Sequence, residues 1–321
     1  FVGLVYMMPI VGGYLSDRYL GSRKAVTYGA ILLVLGHGLM AFHGSAAYIE
    51  GDLVVRDEFA IKVFFFALAL IITGVGFLKA NITTVVGALY GPNDPRRDSG
   101  FTIFYMGLNL GALISMLIVG YVGETFGWNY GFSIAGIGMF FGLMVFLWGQ
   151  KLLDGHAEPR DPEKLKEIAF AGINKENVIY LGGIGMVILS WFLMQYQEAV
   201  GLLLGTSGFV MIAVIIAYGY TTCTKIERER LMVVCFLIVV QSVFWALFEQ
   251  QAASLTLLAD QQFNRSVFGW ELKASQVQTM NTLFIVLLAP VMAWFWIALS
   301  KREIEPSTPT KFGIAMVIIG L

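Results

Sequence analysis

Cysteine and histidine are scarce in this chain of 321 residues. Its two cysteines, Cys223 and Cys235, and its three histidines are scattered along the sequence. Such spacing offers neither a disulfide framework nor a metal cluster, so we expect no metal site. Charged residues are also few, at 13%, and no basic tail is present. We therefore expect no nucleic-acid partner.

Apolar residues make up most of the chain. Hydrophobic residues account for 57% of the sequence and the mean hydropathy is +0.74, which is too apolar for a water-soluble surface. In lipid, every backbone polar group must be satisfied within its own element, so such a chain is expected to cross the membrane as helices. The sequence predicts an all-α, polytopic membrane helix bundle.

Apolar runs of about 20 residues, the length that spans a bilayer, mark the individual helices. They predict nine spans and the beginning of a tenth, near residues 1–16, 24–43, 60–90, 100–123, 131–149, 177–196, 201–222, 231–252, 276–299 and from 312 onward. Because the sequence starts at Phe1 and stops at Leu321 inside such runs, we expect it to belong to a longer protein, called the parent protein below.

Lysine and arginine are distributed unevenly among the predicted loops. Alternate loops carry 16 basic residues, whereas the intervening loops carry only Arg56, Arg265 and Lys273. Because basic residues are enriched in short cytoplasmic loops, this alternation assigns the basic loops to the cytoplasm and supports the helix count. The other two basic residues, Lys62 and Lys79, lie within a predicted helix.

The longest hydrophilic break covers residues 150–176. It contains Pro159, Pro162 and charges of both signs, which is typical of a linker between two helical bundles. The two predicted helices that follow, 177–196 and 201–222, are almost uncharged. We interpret them as peripheral or linking helices rather than as substrate-binding ones.

Lys79 lies inside the apolar run GVGFLKANITT at residues 74–84. A lysine at the centre of a spanning helix costs about 2.5–3.5 kcal/mol, so it usually faces a cavity or an acidic partner. It precedes the Gly91-Pro92 break by 11 residues, about 16 Å of helix, too far for its amine to reach the interface easily. Lys79 is thus a candidate functional residue, with a structural ion pair or a tilted helix end as the alternatives.

Glu249 is an acidic residue near the outer end of the predicted span 231–252, on one helical face with Trp245. A carboxylate that is desolvated in such a place has a raised pKa unless a cation pairs with it. Glu249 is therefore a candidate proton site, and an interfacial glutamate in contact with water is the alternative.

Asn109 and Asn281 are polar residues within predicted spans. Asn109 shares a helical face with Tyr105, and Asn281 lies one turn from Gln278. Membrane asparagines form hydrogen bonds to a neighbouring helix more often than to a ligand. Both interpretations stay open on the residues alone, and Tyr6 in the first span carries little weight by itself.

The stretch GGYLSDRYLGSRKAV at residues 12–26 closely resembles the loop after the second helix of proton-dependent oligopeptide transporters, a branch of the major facilitator superfamily. Its glycines permit tight packing, and its charges suit an inner gate. The candidate gating residues are Gly13, Asp17, Arg18, Gly21, Arg23 and Lys24. The similarity continues in order through GFLKANITT, FYMGLNLGA, FWALFEQQ and residues 278–281, so it covers essentially the whole chain.

The resemblance implies a fold of twelve helices in two bundles, of which this chain covers about the second to the ninth helix. The implied domains are an N-terminal bundle at 1–150, a linker with two extra transmembrane helices at 151–230, and part of the C-terminal bundle at 231–321. It also implies a multi-pass protein of the inner (plasma) membrane, in contact with lipid, which we expect to be a monomer.

The resemblance further implies proton-coupled symport of di- and tripeptides into the cytoplasm by alternating access. No enzymatic activity and no cofactor are expected, since the proton gradient drives transport. In the family, the counterparts of Tyr6 and Lys79 line the central pocket, where the lysine attracts the peptide carboxylate. Asn109 and Asn281 match positions that form hydrogen bonds with the peptide, and Trp245 matches a wall of the pocket.

Proton coupling is assigned by the resemblance to Glu249 and Lys79. Glu249 matches a proton-responsive carboxylate that pairs with an arginine of the first helix, and this helix lies outside the sequence. Two residues depart from the family pattern. Leu108 replaces the usual isoleucine, and Thr282 follows Asn281 where many bacterial members have proline, which we expect to alter the bend of that helix.

Two other functions are weighed against peptide transport. Plant relatives in this family move nitrate and other small anions, and Lys79 alone would suit an anion, whereas the two asparagines favour a peptide. Residues 205–208, GTSG, resemble the serine loop of an intramembrane protease. That chemistry needs a histidine on a later helix, yet the last histidine, His156, lies in the linker.

Overall fold

Most of the chain is helical in a computed structural model, which describes residues 1–45, 47–50, 53–91, 94, 97–170, 172–267, 269–304 and 306–320. The helices are α1 (Val2–Leu15), α2 (Ser22–Met40), α3 (Glu58–Ala88), α4 (Arg97–Phe126), α5 (Trp128–Gly149), α6 (Pro162–Lys166), α7 (Lys175–Leu193), α8 (Gln197–Thr221), α9 (Lys225–Phe248), α10 (Ser254–Gln262), α11 (Thr279–Lys301) and α12 (Thr308–Gly320). Each predicted apolar segment contains one of these helices, which confirms the all-α fold class.

Three short antiparallel hairpins lie in loops and were not predicted from the sequence. They are β1 (Tyr48–Glu50) with β2 (Leu53–Val55), β3 (Ile168–Phe170) with β4 (Ile173–Asn174), and β5 (Ser266–Val267) with β6 (Trp270–Glu271). Strands of two or three residues build no core of their own. The packing of the chain therefore depends on its helices.

Within the described residues, six helices are long and apolar enough to cross a membrane. They cover Glu58–Ala88, Ile103–Phe126, Trp128–Leu153, Lys175–Leu193, Val200–Thr221 and Lys225–Phe248. The other predicted spans are helical but do not meet this criterion of length and hydropathy. Helix α1 has only 14 residues, about 21 Å against a hydrocarbon core of about 30 Å, and α2 begins with the charged pair Arg23 and Lys24. The chain is thus a multi-pass membrane protein segment.

The described helices form two compact units. Unit 1 comprises Phe1–Leu108 and Ile118–Val200, and unit 2 comprises Asn109–Leu117 and Gly201–Leu321. Much of the predicted linker, including α7, is grouped with unit 1, and helix α8 is grouped mainly with unit 2. The predicted domain boundaries after residues 150 and 230 stay predictions.

Close helix crossings in unit 1 depend on glycine. Helices α1 and α3 meet where a Cβ atom on Gly12 would lie only 2.6 Å from the carbonyl carbon of Gly76. Helices α2 and α3 meet where a Cβ atom on Gly29 would lie 2.6 Å from the carbonyl oxygen of Gly74. Backbone faces backbone at both crossings, so a larger residue would push the helices apart.

Helix α7 packs one face against the core of unit 1, while our interpretation of segment 177–196 as a peripheral or linking helix rather than a substrate-binding one stays a prediction. Its Val187 is buried in a cluster with Leu32, Ala69 and Leu70 of α2 and α3. This contact was not predicted, because a nearly uncharged sequence is equally compatible with contact to lipid and with contact to other helices.

Unit 2 joins part of α4 to the C-terminal helices. Gln276, in a 3₁₀ turn before α11, donates a hydrogen bond to the carbonyl oxygen of Leu117 at 3.1 Å. The Thr282 hydroxyl lies 4.0 Å from the Met116 sulfur. Thr282, which replaces the proline usual in the family, thus points its hydroxyl toward α4.

Candidate functional site

Lys79 and Tyr6 form a cation–π pair in unit 1. The Lys79 Nζ atom lies 4.4 Å from the centroid of the Tyr6 ring. Both side chains are exposed in this chain, and 54% of Tyr6 is accessible. An ammonium within about 6 Å of an aromatic face is attracted by the ring quadrupole. The structure thus brings together the two residues that the resemblance assigns to the central pocket.

The register between α1 and α3 sets this pair. Gly12 and Gly76 let the two backbones touch. The buried Asn81 side chain donates hydrogen bonds to the carbonyl oxygens of Phe77, at 2.7 Å, and of Gly12, at 3.4 Å. Asn81 therefore links α3 to α1 two residues from Lys79. Sequence analysis assigned no role to Asn81, although an asparagine in an apolar run is itself a signal.

The alternative of a structural ion pair for Lys79 finds no partner among the residues that the structure describes. No carboxylate lies within salt-bridge distance of Lys79 in the part of the chain that the structure describes. Because Tyr6 is uncharged and leaves the amine protons available, the positive charge of Lys79 can still attract an anion.

The candidate gating loop adopts a π-helical turn. The turn spans Ser16–Leu20 and ends at Gly21, whose φ of 72° is readily adopted by glycine. Arg18 donates a hydrogen bond to the Tyr14 hydroxyl at 2.9 Å, and the Asp17 side chain is exposed. A Cβ atom on Gly13 would lie 3.5 Å from the Ala80 Cβ atom, an ordinary van der Waals contact.

The last two gating residues pair with acidic residues of the predicted linker and α7. Arg23 forms a two-point ion pair with Glu158, and the Lys24 amine lies 2.6 Å from a carboxylate oxygen of Glu176. Both acidic partners escaped prediction because they lie 135 and 152 residues further along the chain. Their position in a basic, cytoplasmic segment was the available signal.

Trp245 lies in an aromatic cluster on α9 of unit 2. Its ring meets those of Phe248 and Phe244 edge to face, at centroid distances of 5.4 and 5.9 Å. It also lines a cavity of about 340 Å³ between α9 and α12, together with Gln241 and Phe312. Trp245 thus borders an opening in unit 2, while its role as a pocket wall stays a prediction.

Glu249 lies just beyond the end of α9. The α-helix ends at Phe248, and Glu249 begins a 3₁₀ turn that extends to Ala252. The last turn of the span predicted near 231–252 is thus 3₁₀ rather than α-helix, a difference within the usual uncertainty of helix ends. The Glu249 side chain is exposed in this chain.

Asn109 and Asn281 also belong to unit 2. Asn109 is half-buried on α4, and Asn281 is half-buried in the first turn of α11. Lys79 and Tyr6 belong to unit 1. A shared pocket of these residues stays a prediction.

The segment that resembles a protease loop is regular helix. Residues 205–208 lie within α8, and the Thr206 hydroxyl donates a hydrogen bond to the carbonyl oxygen of Leu202 at 2.7 Å. A serine loop of the required kind is absent at these residues. The resemblance of residues 205–208 to a protease loop therefore has no support in their backbone structure.

Comparison with known proteins places the chain among transporters. The family model described as PTR2, POT family, matches residues 23–321. The uncharacterized transporter YclF of Bacillus subtilis is 38% identical to this chain, over 99% of the chain and 61% of its own length. A di-/tripeptide transporter of Lactococcus lactis subsp. cremoris is 34% identical, over 99% of this chain and 62% of its own length. The chain therefore spans less than two thirds of these relatives.

A solved structure shares the fold. The crystal structure of a variant of the peptide transporter POT in complex with alafosfalin matches with a TM-score of 0.79 and 35% identity, covering 99% of this chain and 61% of that one. The matching fold, the family model and the ordered helices lead to one conclusion: this chain belongs to the POT family of membrane transporters.

Proposed function

We propose that the parent protein is a proton-coupled symporter that carries di- and tripeptides into the cytoplasm by alternating access and works as a monomer. The observation that carries this proposal is the exposed Lys79 amine, held over the Tyr6 ring without a carboxylate partner among the described residues. A cation in an apolar helix is costly, so its retention indicates an anionic ligand.

The chemistry of Lys79 suits the carboxylate of a peptide. An ammonium offers three donors and a full positive charge, and a desolvated site strengthens its attraction to an anion. The Tyr6 ring stabilises the ammonium when the ligand is absent, because the attraction to the ring face needs no counter-charge.

The other candidate residues complete the proposed site. We assign Asn109 and Asn281 to hydrogen bonds with the peptide, and Trp245 to an apolar wall. Amide side chains both donate and accept hydrogen bonds, so they match the polar ends of a peptide better than a simple anion. The name of the lactococcal relative, a di-/tripeptide transporter, supports this size of substrate.

Proton coupling is assigned to Glu249 together with Lys79. A carboxylate at the edge of a spanning helix can change its charge when its surroundings change from wet to dry, because burial disfavours the charged form. The proton gradient supplies the driving force, and no cofactor enters the proposal.

Transport of a small anion such as nitrate is the second candidate. It is favoured by Lys79 alone, since one exposed ammonium binds any small anion that reaches it. The two candidates differ in their use of Asn109 and Asn281, whose amide groups are assigned to hydrogen bonds with a peptide and have no assigned role with nitrate.

Uptake measurements on the parent protein test the proposal. The purified protein is reconstituted in proteoliposomes with an inward proton gradient and offered a panel of labelled di- and tripeptides and nitrate. We expect peptide accumulation that a protonophore abolishes. Accumulation of nitrate without peptide would overturn the assignment of substrate, and peptide accumulation that survives the protonophore would contradict coupling.

A further inference from the structure

The basic end of α2 is held by residues far along the chain. Arg23 binds Glu158 through two of its guanidinium nitrogens, and a third donates to the Gln150 amide oxygen at 2.9 Å. Lys24 lies 2.6 Å from Glu176, the second residue of α7. We call Arg23, Lys24, Glu158 and Glu176 the α2–linker contact.

The backbone supports the same contact. The Arg23 amide donates a hydrogen bond to the Ala157 carbonyl at 3.0 Å. A Cβ atom on Gly21 would lie 2.5 Å from the carbonyl carbon of Glu158, so the linker passes directly over this glycine. A glycine at this point thus allows both the positive φ and the close approach of the linker.

Polar and aromatic groups extend the contact along α7. The Tyr180 hydroxyl donates to Glu176 at 3.0 Å, and the Tyr28 hydroxyl donates to the carbonyl oxygen of Tyr180 at 2.8 Å. The Tyr28 ring also lies 5.1 Å from the Phe77 ring, centroid to centroid. Phe77 precedes Lys79 by two residues on α3, so one continuous set of contacts joins α7 to the helix that carries Lys79.

The positive charges of Arg23 and Lys24 are neutralised by carboxylates within this contact. Each is paired with a carboxylate, and all four side chains are partly shielded, with between 23% and 37% of each accessible. A cavity of about 470 Å³ lies beside them, lined by these basic residues, Glu176 and Tyr180. The local charge is balanced, so the cavity has no free cation to offer an anion.

We propose that Glu158 and Glu176 are positioning residues: they hold the gating loop through Arg23 and Lys24, so that the linker and α7 move with α1, α2 and α3 as one body. All of these residues belong to unit 1. The effect on transport rests on the proposed function, whereas the rigid attachment does not. The extra helix α7 thereby becomes part of the moving bundle rather than a passive spacer.

Charge exchange tests the role of Glu176 in the parent protein. We expect Lys24→Glu and Glu176→Lys each to lower the initial rate of peptide uptake about ten-fold, and the double variant to recover most of that rate. The KM for peptide should change little, because Lys79 and Tyr6 are untouched. Failure of the double variant to recover any activity, although it is folded and inserted, would overturn the pairing.

A second ion pair in the same segment provides the matched control. Lys166 and Glu163 pair at 2.7 Å, but 70% and 81% of their side chains are accessible. Such an exposed pair contributes little, so Lys166→Glu should leave uptake unchanged. An equal loss in this control would show that any charge reversal in the linker is harmful, and would contradict a specific role for Glu176.

Distance measurements test the rigid attachment without relying on transport. Spin labels are placed at Ile31→Cys on α2 and Ile184→Cys on α7, both exposed, after Cys223→Ser, Cys235→Ala and replacement of any further cysteine of the parent protein. We expect one distance that is the same with and without peptide and at neutral and acidic pH. A distance that shifts with either condition would overturn the proposal, even if uptake behaves as proposed.

Discussion

The Lys79 amine lies 4.4 Å from the centre of the Tyr6 ring, on two helices whose backbones touch at Gly12 and Gly76. A cation is thus held in an apolar helix by a neutral aromatic partner. This arrangement stabilises the charge without neutralising it. It is the feature of the described chain that most directly fits recognition of a carboxylate.

The ring of Tyr6 should matter more than its hydroxyl for holding Lys79. We expect Tyr6→Leu to raise the KM for peptide by roughly two- to five-fold, the equivalent of about 0.5–1 kcal/mol for an exposed cation–π pair. Tyr6→Phe keeps the ring and should stay closer to the wild type. The KM of each variant is measured from the dependence of its uptake rate on peptide concentration in proteoliposomes. Equal effects of the two substitutions would show that the ring is not what holds the amine.

The crossing of α1 and α3 should tolerate no side chain at Gly12. The added methyl group of Gly12→Ala meets the backbone of Gly76, so we expect a loss of about 1–3 kcal/mol from overpacking. Gly38→Ala is the control, because a Cβ atom there has no neighbour within 4 Å and alanine favours the helix. The unfolding temperatures of the two variants in detergent are compared with that of the wild type. A Gly12→Ala protein that unfolds at the wild-type temperature would contradict the close crossing.

Asp57 should make part of the stability depend on pH. It precedes α3 and accepts hydrogen bonds from the amides of Ala60, at 3.0 Å, and Ser45, at 3.1 Å. These bonds lower the pKa of the Asp57 carboxyl in the folded state, and the bond from Ala60 has the larger effect. Its contribution is therefore present above the unfolded pKa of about 3.9 and lost as pH falls through the lower folded value.

Thermal unfolding at several pH values measures this effect. We expect Asp57→Ala to be less stable than the wild type near neutral pH and the difference to shrink in acid. Asp57→Asn keeps an acceptor for the helix cap but does not titrate, so its loss relative to the wild type should be smaller. A difference between wild type and Asp57→Ala that grows in acid would contradict the assignment.

Glu249 should affect proton-driven uptake more than exchange. Glu249→Gln removes the titratable group but keeps a side chain of similar size. We therefore expect exchange of peptide across the membrane, without a gradient, to survive better than uphill uptake. Both are measured in the same proteoliposomes. An equal loss of the two activities would exclude a role specific to the proton.

Helix positions were predictable because hydropathy is a local property of the sequence. All of the predicted apolar segments are helical in the main, and the bounds differ by a few residues, as at α9, which begins at Lys225 and ends at Phe248 against a predicted span of 231–252. The hairpins escaped prediction because strands of two or three residues, such as Ser266–Val267, leave almost no periodic signal.

Contacts between distant residues were not predictable from local patterns. The charge of Lys79 marked it as unusual, but nothing in its neighbourhood identifies Tyr6 as its partner; only the family resemblance placed the two in one pocket. The linker contains several other acidic residues that could have paired with Arg23 and Lys24. Only the folded chain selects Glu158 and Glu176.

The most direct test of the account is peptide uptake by the Lys79→Ala variant of the parent protein in proteoliposomes with an inward proton gradient. Lys62→Ala is its matched control, since Lys62 is an exposed lysine on the same helix, near the opposite end. We expect Lys79→Ala to lose gradient-driven accumulation while Lys62→Ala retains it. Near-normal accumulation by Lys79→Ala would contradict the central claim that this amine anchors the substrate.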